Sequence, residues 1–192
     1  MYTSIEALKE QAVLDGGVTS AHFEFTEWIH TIDPAIYDEH TLARWIIANS
    51  SHVIDAAFNI IGPPASLNAN VTGLNAIDWH PSGAVFSGNG LSVNDIPFTY
   101  HSNWQSAGRW AIEVFTNRRR FYLKPMEKLQ VQMRGSVIIE EFPIEDDFDH
   151  RFKPGLYRQT LAFLTHDYSK LVSLDDQIKN NPIYEKIGGS RY

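Results

Sequence analysis

Apolar and polar residues alternate along several short stretches of the chain, which is the pattern of β-strands with one buried face. In the first stretch, residues 18–28, three apolar residues share one side: Ala21, Phe23 and Phe25. Seven more strand-like stretches follow, separated by turn residues: 66–74, 83–91, 97–104, 110–116, 121–124, 129–133 and 137–142. Because a parallel crossover needs a dozen or more residues, these short connections predict mostly antiparallel pairing.

Two stretches of the N-terminal third have helical periodicity instead. Residues 3–14 predict a short helix, with Thr3 and Glu6 at capping-box spacing and a Gly-Gly pair at its end. Residues Leu42–Ile61 predict a long helix, because the Gly-Pro-Pro sequence of residues 62–64 is a strong stop signal.

The C-terminal part predicts further helices. Residues 156–166 form an amphipathic pattern with this apolar stripe: Leu156, Thr160, Phe163 and Leu164. Ser173 predicts the N-cap of a last helix over residues 173–179, which has two aspartates in its first turn. The acidic stretch 140–150 between the last strand and these helices is expected to be an exposed loop.

Eight strands and several helices predict an α+β fold. The chain has 192 residues, of which 43% are hydrophobic, and this is the size of one domain with its own core. We assign the domain to residues 1–189 and expect residues 190–192 to be a flexible tail.

Charge and composition exclude several classes of function. The formal net charge is −7, which opposes binding to nucleic acid, and the one basic run, Arg118–Arg120, is expected at a solvated hairpin tip. The chain has no cysteine, and its 8 histidines show no metal-binding spacing, so we expect no metal site. It shows neither a signal-peptide pattern nor an apolar run long enough for a membrane, so we expect a cytoplasmic protein without a membrane partner.

The predicted helix Leu42–Ile61 carries the best candidate for chemistry. In a regular helix four residues fall on one side: Ala48, His52, Asp55 and Asn59. Four apolar residues fall opposite: Val53, Ala57, Ile60 and Ile61. A histidine exchanges protons near neutral pH, and a carboxylate three residues on can orient it, so His52 and Asp55 fit a general acid or base. The alternative is a solvated helix face without a chemical role.

Four strings of the sequence carry a resemblance to a known family. They are residues 4–25, residues 48–64 (ANSSHVIDAAFNIIGPP, with an H-x-x-D helix before a glycine), residues 112–131 (with a Leu-x-Pro-x-Glu-x-Leu turn) and residues 152–164. In this order they resemble the C-terminal domain of the glucose-fructose oxidoreductase and inositol dehydrogenase family (Gfo/Idh/MocA). The corresponding parts of that domain are the entry into the first strand, the H-x-x-D helix that ends at a glycine, a strand pair with its turn, and the final helix on the sheet.

The resemblance implies an open, mostly antiparallel sheet of about six to nine strands, covered by helices on one face. Its other face is implied to be free for contacts between subunits or for the substrate, and a homo-oligomer through this face is expected. In the family, an N-terminal Rossmann domain binds NAD or NADP and supplies a Glu-Lys-Pro lysine. This sequence contains neither that motif nor the glycine-rich fingerprint, and its glycine cluster at residues 87–91 is interpreted as a bulge or turn. We therefore expect no cofactor site in this chain.

On this resemblance the chain is interpreted as the substrate-binding and oligomerisation half of an NAD(P)-dependent oxidoreductase acting on a sugar or sugar nucleotide. A Rossmann domain is then expected as a partner, in cis or in trans, and the chain alone should not catalyse hydride transfer. The alternative is a non-catalytic module that binds a carbohydrate or protein, or associates with itself.

His52 matches the family's acid-base histidine. Many members carry an aspartate four residues earlier, where this chain has Ala48, so His52 is predicted to act alone or supported by Asp55. Six other residues are candidates for contacts with the sugar, Lys153 being suited to a phosphate or carboxylate: Trp28, His30, Arg44, Asn49, Lys153 and Tyr157.

Overall fold

The computed structural model describes residues 2–189, so the predicted tail 190–192 lies outside the described residues. Within them the α-helices are α1 (Thr3–Leu14), α2 (Glu39–Ala43), α3 (Ser51–Ile61), α4 (Asp147–Arg151), α5 (Leu156–Leu164) and α6 (Leu174–Ile187). The strands are β1 (Ser20–Glu24), β2 (Pro64–Thr72), β3 (Val85–Ser92), β4 (Pro97–Asn103), β5 (Ala111–Phe115), β6 (Arg119–Leu123), β7 (Gln130–Met133) and β8 (Ile139–Glu141). Each predicted strand is therefore present, with shifted ends.

The strands form an open sheet in the order β2-β3-β4-β1-β5-β6-β7-β8, which confirms the predicted α+β fold with a mostly antiparallel sheet. The pairs β2–β3, β3–β4, β6–β7 and β7–β8 are antiparallel, as their short connections predict. β1 is an exception, because it pairs with β4 in parallel, with Ala21 opposite Phe98. This insertion separates β4 from β5, although they follow each other in the chain.

The described chain divides into two compact units. One consists of residues 20–112 and 181–189 and is called the 20–112 unit. The other consists of residues 2–19 and 113–180 and is called the 113–180 unit. The assignment of residues 1–189 to a single domain stays a prediction.

Aromatic rings on the inward side of β1 form the core of the 20–112 unit. Phe23 and Phe25 are fully buried, and Ala21 is 4% exposed, which confirms the predicted apolar side of this strand. The Phe23 ring lies 5.4 Å from that of Tyr100 on β4 and 5.6 Å from that of Phe58 on α3. Each buried aromatic side chain contributes about 1.5–3 kcal/mol. This packing holds α3 against β1 and so fixes the helix that carries His52.

A partly buried ion pair joins α1 to β6 in the 113–180 unit. The Arg119 guanidinium donates hydrogen bonds to both carboxylate oxygens of Asp15, at 2.7 and 2.8 Å, and to Gln11 Oε1 at 3.0 Å. The predicted solvated hairpin tip is therefore wrong for Arg119, because this residue opens strand β6 and its side chain is only 15% exposed. Its neighbour Arg120 also forms an ion pair, with Glu113.

The predicted capping box at the start of α1 is wrong. Tyr2 occupies the N-cap position without a side-chain hydrogen bond, and Thr3 is already helical. The backbone N–H of Thr3 donates instead to Asp149 Oδ2, at 3.1 Å. An acceptor 146 residues away in the chain therefore replaces the local one.

Three predictions for the C-terminal part are corrected in detail. The acidic stretch 140–150 contains helix α4 rather than only a loop. The apolar stripe predicted for α5 is exposed, since α5 buries Ala162 instead, while Leu156 is 50% and Phe163 63% exposed. Ser173 caps α6 as predicted, accepting a hydrogen bond from the backbone N–H of Asp176 at 3.1 Å. This helix continues to Ile187, however, because its last turns bury apolar side chains.

Candidate functional site

The helical segment that carries the candidate residues is not the regular helix predicted for Leu42–Ile61. Helix α2 ends at Ala43, Arg44 leaves helical geometry, and a π-helical turn over Ile46–Ser50 leads directly into α3. Such turns are rare and occur frequently at functional sites. Because a π turn changes the angular phase of the helix, the relation between Ala48 and His52 that a regular helix predicts does not hold.

A buried carboxylate lies against this π turn. Glu27 follows β1 and is 2% exposed. Its oxygens accept hydrogen bonds from Asn49 Nδ2, at 3.1 Å to each oxygen, and from Ser50 Oγ, at 2.7 Å. Side chains of consecutive residues diverge by about 100° on a regular helix. The shared carboxylate therefore accounts for the widened turn, which brings both donors to one acceptor.

The same carboxylate accepts two further hydrogen bonds from the segment before β5. Trp110 donates its indole N–H to Glu27 Oε1 at 3.2 Å, and Arg109 Nη1 lies 3.5 Å from Oε2. Burial raises the pKa of Glu27 above its ordinary value, although the four donors act in the opposite direction. Glu27 thus ties the π turn to the segment that carries Arg109 and Trp110.

Two tryptophans flank the exposed part of Arg109. Its guanidinium carbon lies 4.8 Å from the ring centre of Trp28 and 4.9 Å from that of Trp110. The Trp28 indole N–H donates to the Gly108 carbonyl at 2.7 Å, which fixes this ring next to Arg109. The resulting tryptophan–arginine cluster, Trp28, Arg109 and Trp110, is a rigid polar and aromatic surface.

His52 lies at the start of α3 and is exposed to solvent. Its imidazole contacts the same Trp110 indole, with ring centres 6.2 Å apart. Asp55, the predicted support for His52, accepts a hydrogen bond from the hydroxyl of Tyr184 on α6, and this partner was not predicted. The structure therefore places His52 beside the tryptophan–arginine cluster and gives Asp55 a contact in the core.

The other predicted contact residues fall into two groups. Asn49 binds Glu27, and His30 lies beside Trp28 with ring centres 6.4 Å apart, so both are close to the cluster. Arg44 is exposed at the end of α2. The remaining two residues belong to the 113–180 unit: Lys153, which is exposed, and Tyr157, which stacks on Phe148 at 4.1 Å.

Sequence reasoning missed four residues of the site: Glu27, Ser50, Arg109 and Trp110. A signal existed for Glu27, because the inward series of residues 21, 23 and 25 continues with residue 27. A carboxylate at an inward position requires polar partners. No comparable signal exists for Arg109, whose position depends on contacts between distant segments.

The glycine cluster of residues 87–91 lies within strand β3 and pairs in continuous register with both neighbouring strands, so its interpretation as a bulge or turn is wrong. The register shift of the β2–β3 pair lies on β2, between Pro64 and Ser66. A Cβ atom at Gly88 would lie 2.2 Å from the Asn68 carbonyl and 2.4 Å from the Tyr100 hydroxyl. Glycine is required there because neighbouring strands approach closely. The cluster thus does not form the phosphate-binding loop that NAD or NADP requires, and these residues do not fit a dinucleotide.

No protein-family model and no curated protein matches this sequence. Solved structures match nearly all of it: levoglucosan dehydrogenase in complex with NADH and L-sorbose has a TM-score of 0.62 at 15% identity, with 98% of this chain and 62% of that chain covered. The dehydrogenase MviM from Clostridium difficile has a TM-score of 0.68 at 13% identity, with 98% of this chain and 58% of that chain covered. The super-repressor mutant of Gal80p from Saccharomyces cerevisiae has a TM-score of 0.67 at 14% identity, with 97% of this chain and 60% of that chain covered.

These comparisons show the fold of the chain. The described residues have the fold of the dehydrogenases, as the sequence resemblance implies, and the chain spans less than two thirds of the length of each. Within residues 2–189, none of the helices is both long and apolar enough to span a membrane.

Proposed function

We propose that this chain, which has the fold of the C-terminal domain of Gfo/Idh/MocA oxidoreductases, is the substrate-binding half of an NAD(P)-dependent sugar or sugar-nucleotide oxidoreductase. The observation that carries the proposal is the exposed His52 imidazole in contact with Trp110 of the tryptophan–arginine cluster. Similar structures support the substrate class, since one is levoglucosan dehydrogenase with NADH and levoglucosan and another is UDP-N-acetylglucosamine 3-dehydrogenase from Acidithiobacillus ferrooxidans.

Each residue of the site has a proposed task. His52 accepts the proton of the substrate hydroxyl during oxidation and returns it during reduction. The exposed indole of Trp28 packs against the apolar face of a sugar ring, while the buried Glu27 keeps Asn49 and Trp110 in position. NAD or NADP is proposed to bind a separate Rossmann domain, in cis or in trans, because the glycine cluster of this chain does not fit a dinucleotide.

The test measures the binding of sugars to the purified chain, and the NMR signals of its five tryptophan indole N–H groups report this binding. We expect the signals of Trp28 and Trp110 to shift on addition of a bound sugar or sugar nucleotide. In the complete natural protein, supplied with NAD or NADP, the His52→Ala variant should lose at least about a hundredfold in turnover, the usual contribution of an acid-base group. His40→Ala, which removes another exposed histidine of the same unit, is the matched control and should leave turnover unchanged.

The outcomes separate the proposal from its alternative, a non-catalytic binding module. Ala48 favours the alternative, because it stands where many members of the family carry an aspartate four residues before the histidine. If a sugar binds but the complete protein shows no turnover with either cofactor, the module is correct. If no sugar shifts either indole signal, sugar binding itself is refuted.

Self-association through the sheet face is a further part of the proposal. Apolar side chains near its β7–β8 edge support it, since Met133 is 53% and Ile139 48% exposed. Sedimentation of the purified chain should give a multiple of 21.8 kDa, and a mass of one chain at all concentrations would contradict it. The cytoplasmic location, and the exclusion of nucleic acid and membranes as partners, stay predictions.

A further inference from the structure

Arg109 is held in one orientation at the surface of the 20–112 unit. Its guanidinium lies over the rings of Trp28 and Trp110, and Nη1 contacts the buried Glu27. Contacts between a guanidinium and an aromatic face are attractive, and two of them together restrict the rotamers of a long side chain. An arginine fixed in this way loses little conformational entropy when it binds a ligand.

Most of the hydrogen-bonding capacity of Arg109 is available to a ligand. A guanidinium has about five N–H donors. Among the described residues, Arg109 uses one nitrogen, at a long 3.5 Å, and its side chain remains 41% exposed. Glu27 also accepts hydrogen bonds from three other side chains, so its two oxygens are shared among four donors. The carboxylate is therefore not dedicated to Arg109.

We propose that Arg109 binds an anionic substituent, a carboxylate or a phosphate, of the carbohydrate whose hydroxyl meets His52. The planar guanidinium matches both groups with paired hydrogen bonds. Arg109 and His52 both contact the Trp110 indole and are therefore neighbours, which is why we assign both to the binding of one ligand. The inference rests on the proposed function and narrows its substrate class to acidic sugars. In a protein with a net charge of −7, a local cation is required to attract such a ligand.

The experiment compares matched neutral and anionic sugars at constant ionic strength. The probes are glucose, glucuronate and glucose 6-phosphate, together with the corresponding galactose set, and binding is followed by the indole N–H signals of Trp28 and Trp110. We expect glucuronate-type or phosphate-type sugars to bind at least about tenfold more tightly than the neutral ones, a difference of about 1.4 kcal/mol. The preferred set identifies the anion as carboxylate or phosphate.

Variants test whether Arg109 causes the preference. Arg109→Gln should abolish the preference, so that the anionic and the neutral sugar bind this variant with equal affinity. Arg109→Lys keeps the charge but not the paired donors, so this variant should retain only part of the preference for the anionic sugar. Arg118→Gln removes an exposed arginine of the 113–180 unit and should change nothing. The NMR spectrum of each variant also shows whether it is folded.

Each other outcome overturns the inference in a recognisable way. If neutral sugars bind as tightly as anionic ones, the acidic substrate class is wrong while the proposed function stands. If inorganic phosphate shifts the indole signals as strongly as a sugar phosphate does, Arg109 binds anions without a carbohydrate, and the inference is wrong. If no sugar binds at all, the proposed function fails with it. If Arg109→Gln keeps the preference, the anion binds elsewhere.

Discussion

Replacement of Glu27 by alanine is the sharpest test of the site, because one side chain joins the π turn to the tryptophan–arginine cluster. In the wild-type protein this carboxylate accepts hydrogen bonds from Asn49, Ser50, Arg109 and Trp110. Glu27→Ala removes the acceptor and leaves a cavity at a residue that is 2% exposed.

The magnitude follows from the donors that lose their partner. Ser50 is fully buried, so its hydroxyl cannot turn to water, and the Trp110 N–H and Asn49 amide are only partly exposed. Each buried donor left unsatisfied costs about 1–3 kcal/mol, whereas removal of the carboxylate relieves its own desolvation. We expect Glu27→Ala to lower the free energy of unfolding by about 3–5 kcal/mol. Glu27→Gln keeps the shape and one acceptor, and should cost about 1–2 kcal/mol.

Tryptophan fluorescence during urea unfolding is the appropriate assay. All five tryptophans lie within residues 20–112, so this signal reports on the unit that contains Glu27 even if the two units unfold separately. Asp78→Ala removes an exposed carboxylate of the same unit, and its free energy of unfolding should stay within about 0.5 kcal/mol of the wild-type value. If Glu27→Ala costs no more than this control, the carboxylate does not organise the site and the reasoning is refuted.

The pH dependence gives a second readout. Burial raises the pKa of Glu27 in the folded state above the ordinary value of 4.5, so the folded protein holds this proton more tightly than the unfolded chain. The contribution of Glu27 to stability is therefore complete below pH 4.5 and declines as the pH rises through the folded pKa. The difference in free energy of unfolding between wild type and Glu27→Gln should therefore shrink as the pH rises from 4.5 through the folded pKa of Glu27.

Two further predictions concern other parts of the fold. Asp15→Ala leaves the partly buried guanidinium of Arg119 without its carboxylate and should lower the free energy of unfolding by about 2–4 kcal/mol, measured by thermal or urea unfolding followed by far-UV circular dichroism. The Arg119 hydrogen bonds lower the pKa of Asp15 below 3.8, so this contribution is present above that pH and is lost as the pH falls through the folded pKa. Gly88→Ala forces a methyl group against the Tyr100 hydroxyl and should cost about 1–3 kcal/mol in the fluorescence assay.

Each of these predictions has a control in the same part of the chain. Arg118→Ala, in the same basic run as Arg119 but exposed, should change the free energy of unfolding by less than about 0.5 kcal/mol. Ser87→Ala in strand β3 introduces no new atoms and should also change the free energy of unfolding by less than about 0.5 kcal/mol. An Asp15→Ala effect as small as that of Arg118→Ala would contradict the ion-pair argument. A Gly88→Ala effect as small as that of Ser87→Ala would contradict the steric one.

The strands and the helix ends near glycine were predictable from the sequence, because their causes are local. Side chains in a strand alternate between faces, so the series Ala21, Phe23, Phe25 identifies the buried side of β1. Gly62 ends α3 with a positive φ of 90°, which its lack of a side chain permits. These two preferences act between residues a few positions apart and need no distant partner.

The π turn, the true partner of Thr3 and the contacts of the arginines were decided only by the tertiary structure. In each case a distant group replaces a local one: Glu27 binds the turn from 22 residues away, and Asp15 binds Arg119 from 104 residues away. The sequence by itself thus determined the α+β class and proposed His52 as the candidate base. The fold determined what surrounds His52, because a buried carboxylate selects its partners by position in space and not by spacing along the chain.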